Sequence, residues 1–506
     1  MGGMRVAVAD VGTNSCHLLI AESRGSGYRI LDALKERTRL GEYLSQGRVT
    51  EQGYVRLEEA LRRFKQLAQS AGCADLRVYA TSAMREALNG GEIAERLRTS
   101  TGVYPQIISG EREGALTYLG AAHSVEFSGD NLLLDLGGGS LEIARGDERE
   151  AHTVVSLPLG SVRMRLAHLQ ADPPGARAIR ELDATVRGAL LPHLKTFALR
   201  EDTRVIGSSG TFEAVAGMLS ARAGHGAGAL GGPVNGYSFR LEELGALLDD
   251  LRKLSSAKRA KFPGLDKTRT DIIVAGLVVL HATLSALGAS RVTVSEGALR
   301  EGMLVEYLAQ EAEWEAGLSA RQRSVLEVAE RFRIDLAHDR QVMTLARDLF
   351  SRLEGAGEAF PAEARSLLTA GALLHEIGLI VAQSSHHKHG HYLTRFAGLR
   401  GYEPWQVDVV ALLVRYHRKS PPKSSHLEFT AISPEHQRLV VRLAAILRVA
   451  DGLDRSHTQG AGITALGKHG KNWTLQVTNA TELDLHGARE KRDMWESAFG
   501  PLHIEG

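Results

Sequence analysis

Cysteine is almost missing from this 506-residue chain: Cys16 and Cys73 are the only two, and they do not have CxxC spacing. That excludes a disulfide framework and points to a reducing cytoplasm. Net charge is nearly absent as well, with 61 basic against 60 acidic residues giving +1. No global field steers such a chain to nucleic acid, so any anion site must be local. Proline is sparse at 13 while glycine reaches 54, a balance that suits turn-rich α/β structure and argues against disorder. Long apolar runs are lacking too. The longest, Ile272 to Ala289, is broken by His281, Thr283 and Ser285, whereas a membrane span wants about 20 residues with fewer interruptions. A buried core helix is expected there, and no membrane association. Asp10 and Asn14 interrupt the first apolar stretch, so no signal peptide is expected.

What is present is a pattern that occurs twice. RVAVADVGTNSCHLLIAE begins at Arg5 and NLLLDLGGGSLEIARGD at Asn131, so that Asp10-x-Gly12-x-x-Ser15 matches Asp135-x-Gly137-x-x-Ser140 position for position. Each copy reads as two apolar strands joined by a tight turn. Glycine lets a backbone approach an anion closely, and the N–H groups of such a turn can ring a phosphate. The turns supply Gly12, Thr13, Asn14 and Ser15 in one copy, and Gly137, Gly138, Gly139 and Ser140 in the other. The leading carboxylates, Asp10 and Asp135, would repel a phosphate and are better suited to hold a divalent cation that bridges to it, directly or through water. Asp and Gly are also ordinary hairpin residues, but a repeated unit is a stronger signal than a single turn.

The length gives a prior of roughly three domains, and the pattern along the chain resolves four segments. Residues 1–123 and 124–311 each alternate strands with helices after an opening hairpin, with SVEFSGD as a hinge between them. Residues 312–458 have helical periodicity, with helices expected at Ala320 to Phe332, Arg340 to Glu354, Pro361 to Gln383, Pro404 to Tyr416 and Glu435 to Leu453. Residues 459–506 return to strand-like runs such as WTLQVTNA and read as a small α+β module. Two α/β units that each open with a phosphate hairpin would face one another across a cleft.

A third glycine-rich turn, Gly207-Ser208-Ser209-Gly210-Thr211, follows an apolar strand and opens a helix, whose N-terminus offers free N–H groups to an anion. Glu113, in IISGEREGA, starts another helix and is the candidate general base for an attacking water. Glu142, two residues beyond Ser140, shares a strand face with it and can orient that water or the cation. Arg85, in ATSAMREA, has the best claim among the basic residues to a phosphate; Arg37 and Arg163 are weaker candidates. In the helical segment, His386, His387, His389 and His391 are expected on a polar surface loop. Around Arg418 and Lys419 there is no acid from Val410 to Ser424, which suits a long polyanion; His387 and His389 join these two as candidate contacts.

The ordered set ATSAMREA, IISGEREGA, LLLDLGGGSLEI, LPLGSVRM, VIGSSGTFEAVA, GLDKTRTDIIVAG and ALREGML resembles the exopolyphosphatase and guanosine pentaphosphate phosphohydrolase family. The resemblance covers residues 4 to about 308 densely. It implies an α/β fold of two actin-like (ribonuclease H-like) ATPase-superfold domains flanking a cleft. The helical part, with HEIGLIVAQSSHHKHGHYL and AAILRVADGLDRSH, resembles the all-α HD-like domain of the long members, followed by the small module. By carry-over, Glu113 matches the catalytic glutamate, Glu142 the second active-site acid, Asp135 the magnesium-linked aspartate and Arg85 a substrate-contacting arginine. The implied reaction is magnesium-assisted release of terminal phosphate from inorganic polyphosphate, or removal of the γ-phosphate of guanosine pentaphosphate; Mn²⁺ as substitute, a monovalent cation and a homodimer are also implied. HD phosphohydrolases bind metal through an adjacent His-Asp pair, where this chain has His375-Glu376. The cage at His375, Glu376 and Asp451 is therefore altered and is not expected to be filled. A sugar kinase or chaperone-type ATPase on the same superfold and a non-catalytic polyphosphate or alarmone sensor are the competing readings; IISGEREGA and the helical segment argue against the first.

Overall fold

The apolar alternation around Asp10 and Asp135 pairs as two meanders of the same design. In the computed structural model, which describes residues 4–24, 27–73, 75–222, 234–311, 319–332 and 336–506, the chain forms two compact units, 1–320 and 321–506. Among the described residues, the first unit holds a small two-stranded sheet, Leu44–Ser45 with Arg48–Val49, and two large sheets. One consists of β1 (Arg5–Val11), β2 (Cys16–Arg24), β3 (Gly27–Glu36), β4 (Leu76–Ala80) and β5 (Pro105–Ile107), in the order β3-β2-β1-β4-β5. The other consists of β6 (Asn131–Leu136), β7 (Leu141–Gly146), β8 (Ala151–Leu157), β9 (Arg204–Ser208), β10 (Ser238–Arg240) and β11 (Arg291–Ser295), in the order β8-β7-β6-β9-β11-β10. In both, an antiparallel three-strand meander is continued by a parallel strand beside its first member. Every residue of β6 is buried, as a central strand covered on both faces must be.

Helices link and cover the sheets. The apolar run expected as a core helix is Ile273–Leu287, and its hydrophobic side chains are buried; no helix among the described residues is long and apolar enough to cross a membrane. Helix Gly110–Ala122 packs against helix Leu299–Glu311, main chain on main chain at two glycines. A Cβ on Gly302 would lie 1.8 Å from the Leu116 carbonyl oxygen, and one on Gly120 2.1 Å from that of Ala298. The SVEFSGD stretch, expected as a hinge, is pinned. Phe127 stacks edge-on to Tyr118 at 4.9 Å between centroids, and the Ser124 hydroxyl donates to Asn235 Oδ1 at 2.9 Å.

The second unit is helical up to Gly452. Helix Pro404–Tyr416 falls where the periodicity places it, but the stretch read as one helix from Pro361 to Gln383 breaks into helix Ala364–Leu374 and a 3₁₀ turn, Ile377–Ile380. Gly378 there packs directly on the His386 carbonyl. The histidine-rich loop is itself a helix, His386–Phe396, with His386 and His391 buried rather than on the surface. The tail forms β12 (Gly462–His469), β13 (Asn472–Thr478) and β14 (Leu502–Glu505) with two short helices. It does not enclose a core of its own. Trp473 and Trp495, perpendicular at 6.2 Å, belong to the same apolar cluster as Leu349, Leu413 and Val449 of the helices.

Truncating a fully buried aromatic typically costs about 3–5 kcal/mol. Trp473→Ala is expected to destabilise the second unit by that amount and to unfold tail and helices in one transition, followed by chemical denaturation. Separate transitions for the two would contradict the shared core.

Candidate active site

The two glycine turns meet. In each, the N–H of the first glycine donates to the carbonyl of the closing serine, Gly12 to Ser15 and Gly137 to Ser140, both at 3.1 Å. A Cβ on Gly138 would come within 3.4 Å of the Asn14 nitrogen, and one on Gly139 within 2.5 Å of the Thr13 hydroxyl. Only glycine lets the second turn press so close to the first.

Their carbonyl groups are tied down in the same way. After its third strand, each meander sends a short segment back over its own turn. Gly41 N–H donates to Thr13 O and Arg39 N–H to Asn14 O, each at 2.8 Å. In the second copy, Ser161, Val162 and Gly160 N–H groups donate to Gly137, Gly138 and Gly139 O at 3.0, 2.9 and 3.2 Å. A carbonyl oxygen near a phosphate repels it, so drawing these oxygens aside leaves a rim of donors. The N–H groups of Thr13, Asn14, Gly138 and Gly139 find no acceptor among the described residues. The motifs around Arg39 and LPLGSVRM thus explain themselves as turn supports.

Beside the turns lies a group of buried acids. β6 and β7 pair Asp135 with Glu142, and Ser156 on β8 donates to Glu142 Oε1 at 2.6 Å. Glu113 reaches the same place because Gly114 lets its helix press onto β7 and β8: a Cβ there would lie 2.6 Å from Val154 Cγ1 and 3.4 Å from Glu142 Cβ. Arg85 Nη1 holds Glu113 Oε2 at 2.9 Å and the Ile108 carbonyl at 3.1 Å. Burial raises Glu113 to about 7, against the pull of Arg85 and with a push from Asp135 and Asp10. Burial, then Glu113 and Asp135, raise Glu142 well above the carboxylate range. Asp135 is raised by burial and accepts from the Ser209 hydroxyl. Such a set of buried acids fits a divalent cation. Asp10, Asp135 and Glu142 do not crowd their oxygens within 4.8 Å of one another, since the groups of that kind among the described residues lie in the second unit.

The third turn closes the far side. Ser208 pairs with Asp135 in the ladder, but its hydroxyl turns away to the Gly297 carbonyl at 3.0 Å, so its side chain is engaged within the core instead of offered to a phosphate. Ser209 adopts φ 73 without being glycine, a strained position that aims its hydroxyl at Asp135. Arg269 lies so close over Gly210 that a Cβ there would meet its guanidinium; burial lowers its pKa and Glu213 opposes that. Thr211 is buried on the helix beyond. Arg163, expected to reach the polyanion, instead donates to Gly139 O at 2.8 Å and pairs with Glu86. Arg37 is likewise engaged, with the Thr268 carbonyl and, at 3.8 Å, Asp271. Residues the sequence reading missed are Ser156, Arg269, Arg300 and His17. The last was legible in the repeat, because His17 pairs with Asp10 in β1 and β2 as Glu142 pairs with Asp135.

In the second unit a separate polar centre is buried. His375 Nδ1 lies 2.9 Å from Asp339 and His338 Nδ1 2.8 Å from Asp454, while the other ring nitrogens both stand 3.8 Å from Asp451 Oδ1. Burial alone would lower His375, but Asp339 and Asp451 raise it to about 9. Lys491 sits on the second oxygen of Asp451 and, outweighing burial, holds it below the usual range. Glu376, grouped with His375 and Asp451 by the sequence reading, instead joins His338 and His457. His387 is lowered to about 4 by burial and by Arg418, and Arg418 reaches His386 at 3.2 Å. The Lys419 carbonyl accepts from Arg448 at 2.8 Å. His389 is half-buried on the same helix as His387.

The mixed α/β, actin-like fold that carries these turns and acids is shared with Ppx/GppA proteins of known structure. The chain belongs to the Ppx/GppA phosphatase family: its family model matches residues 19–311, and that of Ppx/GppA phosphatase, domain III, matches 320–488. Exopolyphosphatase 1 of Mycobacterium tuberculosis is 33% identical over 314 residues, covering 61% of this chain and 90% of the relative. The solved structure of an exopolyphosphatase from Cytophaga hutchinsonii superposes with a TM-score of 0.56 at 25% identity, over 61% of this chain and 98% of that one. The Aquifex aeolicus family member gives 0.53 at 27%, over 61% and 99%.

The raised Glu113 makes the stability of the metal-free protein depend on pH. The folded chain keeps a proton up to about 7 that the unfolded chain releases near 4.5, so stability present below 4.5 is lost as pH rises through 7. Glu113→Gln, which mimics the protonated acid, is expected to be more stable than the parent by about 1–3 kcal/mol at pH 8, with the gap closing below pH 4.5. Denaturation of both proteins in chelator across that range checks it; equal curves would mean the carboxyl is not held in its neutral form.

Proposed function

We propose that the protein is a magnesium-dependent exopolyphosphatase, releasing the terminal phosphate of inorganic polyphosphate by attack of water. The observation that carries this reading is the pair Glu113 and Glu142, buried together beside two turns whose N–H groups are free for phosphate oxygens. The named relatives support the substrate. In this reading, the turn donors with the Ser15 and Ser140 hydroxyls grip the terminal phosphates. Arg85 holds Glu113 in place, Glu113 takes a proton from the attacking water, and Glu142, fixed by Ser156, orients that water. Asp10, Asp135 and Glu142 would hold the cation. Bound magnesium, or manganese in its place, supplies charge neutralisation for the phosphate oxygens. Phosphoryl transfer to water needs alignment and charge stabilisation more than covalent chemistry, and the arrangement is built for both. A cytoplasmic homodimer, with HD-like helices guiding the rest of the chain through His387, His389, Arg418 and Lys419, completes the proposal; a monovalent cation is compatible with it.

Phosphate release measured with magnesium on long and short polyphosphate, guanosine pentaphosphate and ATP, side by side, tests the substrate. Polyphosphate should turn over fastest. Preference for guanosine pentaphosphate would shift the assignment within the family, and turnover of ATP alone would overturn it. Glu113→Gln is expected to lower kcat by about 10³-fold while polyphosphate still binds; unaltered turnover would remove Glu113 from the mechanism.

Arg85 pulls the Glu113 pKa down. Arg85→Ala is therefore expected to move the rising limb of the pH–rate profile to higher pH, alongside a higher KM. A limb that stays in place would show that another group governs it.

A further inference from the structure

The second unit buries a group of side chains that the exopolyphosphatase reading does not use. His338 on helix Leu336–Gly355, His375 at the C-terminal cap of helix Ala364–Leu374 and Asp451 on helix Pro434–Gly452 come from three separate segments. All three are buried, the two histidines to 1% exposure or less. In both rings Nδ1 faces acceptors: Asp454 Oδ2 at 2.8 Å for His338, and Asp339 Oδ1 at 2.9 Å with the Ala372 carbonyl at 2.7 Å for His375. Nδ1 therefore carries a proton, and Nε2 is the atom left for a ligand. Both Nε2 atoms are buried without a hydrogen-bond partner among the described residues. Each stands 3.8 Å from the same oxygen, Asp451 Oδ1, which is too far for a hydrogen bond. An ion bonded at about 2.0–2.2 Å to each side spans that gap. Two buried ring nitrogens aimed at one carboxylate oxygen are unfavourable unless something meets them.

We propose that His338 Nε2, His375 Nε2 and Asp451 Oδ1 form a site for a divalent transition metal of the zinc class, separate from the magnesium centre of the first unit. The donor set decides the class. Magnesium takes oxygen ligands, whereas imidazole nitrogen suits zinc and its neighbours. The surroundings are those of ligating histidines, whose other ring nitrogen is held by a carboxylate or carbonyl that fixes tautomer and orientation. Lys491 does the same for Asp451, taking Oδ2 and leaving Oδ1 toward the rings. The expected cage of His375, Glu376 and Asp451 thus changes its membership, with His338 as the third ligand. Ligand atoms of His338, His375 and Asp451 lie within 4.8 Å of one another. Glu376, half-buried, and His457, exposed, group with His338 on its solvent side, where the His457 ring stacks on that of His338 at 3.9 Å between centroids. They line the way in for the ion. Three protein ligands leave a position for water, and because they come from three segments, the bound ion cross-links the helices of this unit.

The test uses the full-length protein, stripped with chelator, returned to excess magnesium, mixed with Zn²⁺ or Co²⁺ and freed of loose metal by gel filtration. Elemental analysis should find one Zn²⁺ or Co²⁺ per chain, and the cobalt form should show ligand-field absorption distinct from that of the aqueous ion. Zn²⁺ at about 100 times its Kd should raise the melting temperature of the second unit by about 5–10 °C. His338→Gln and Asp451→Asn should each lose the cobalt band and the stabilisation. Asp454→Asn, which disturbs only the group orienting His338, should weaken metal binding about 10- to 100-fold. Glu142→Gln, in the first unit, should change none of these. A parent that retains neither metal would overturn the site and leave the two rings as holders of protons. So would a band that survives His338→Gln and disappears in Glu142→Gln, because the metal would then occupy the magnesium centre. If His338→Gln does not fold, the parent and Asp454→Asn still decide. None of these readouts needs phosphate release, so the result stands apart from the exopolyphosphatase reading.

Discussion

The site depends on a few backbone hydrogen bonds that hold carbonyl oxygens away from the place where an anion would sit. A tight turn presents donors and acceptors in alternation, and left to itself it would repel a phosphate as much as attract one. Here Arg39 and Gly41 in one lobe, and Gly160 to Val162 in the other, engage the acceptors and leave the donors. Because each supporting segment follows the third strand of its own meander, the device was duplicated together with the hairpin. The acids, the arginine and the third turn are arranged around that rim.

Burial and charge then set up a tension that a ligand would resolve. Glu113, Glu142 and Asp135 are buried side by side, and burial together with their mutual charge favours the protonated forms. A cation and a polyanion entering together would replace that protonation with ion pairing, so the apo protein is poised for both. Lys35, Arg269 and Arg300 are gathered nearby, with Glu213 as an acid common to all three.

Much of this was legible in the residues. The duplicated turn, the helical identity of Pro404–Tyr416 and the buried apolar helix follow from periodicity and spacing, because local pattern governs them, while the pairing of Glu113 with Glu142 came from the family resemblance. What was not legible depended on contacts between distant segments. Arg163 read as a polyanion ligand and proved to be a turn support, since a sequence does not say whether a guanidinium meets solvent or a carbonyl. Ser208 and Ser209 are chemically alike in the sequence, yet the strand's pleat points one at Gly297 and the other's left-handed backbone points it at Asp135. His338 went unnoticed because its partners lie far along the chain, at Asp451 and Asp454. The tail looked like a separate module because its strands are short and local, while the surface its tryptophans cover belongs to the helices.

The crossing of helices Gly110–Ala122 and Leu299–Glu311 carries a consequence for how this protein can vary. With main chain resting on main chain at Gly120 and Gly302, there is no side chain to repack and no space into which a methyl could move. Glycine is the smallest residue the genetic code offers, so every missense change in those two codons enlarges the residue and wedges the helices apart. Drift that a cushioned interface would absorb by exchanging one aliphatic for another is closed off at this contact, and genetic variation there should be purged whatever happens at the catalytic groups.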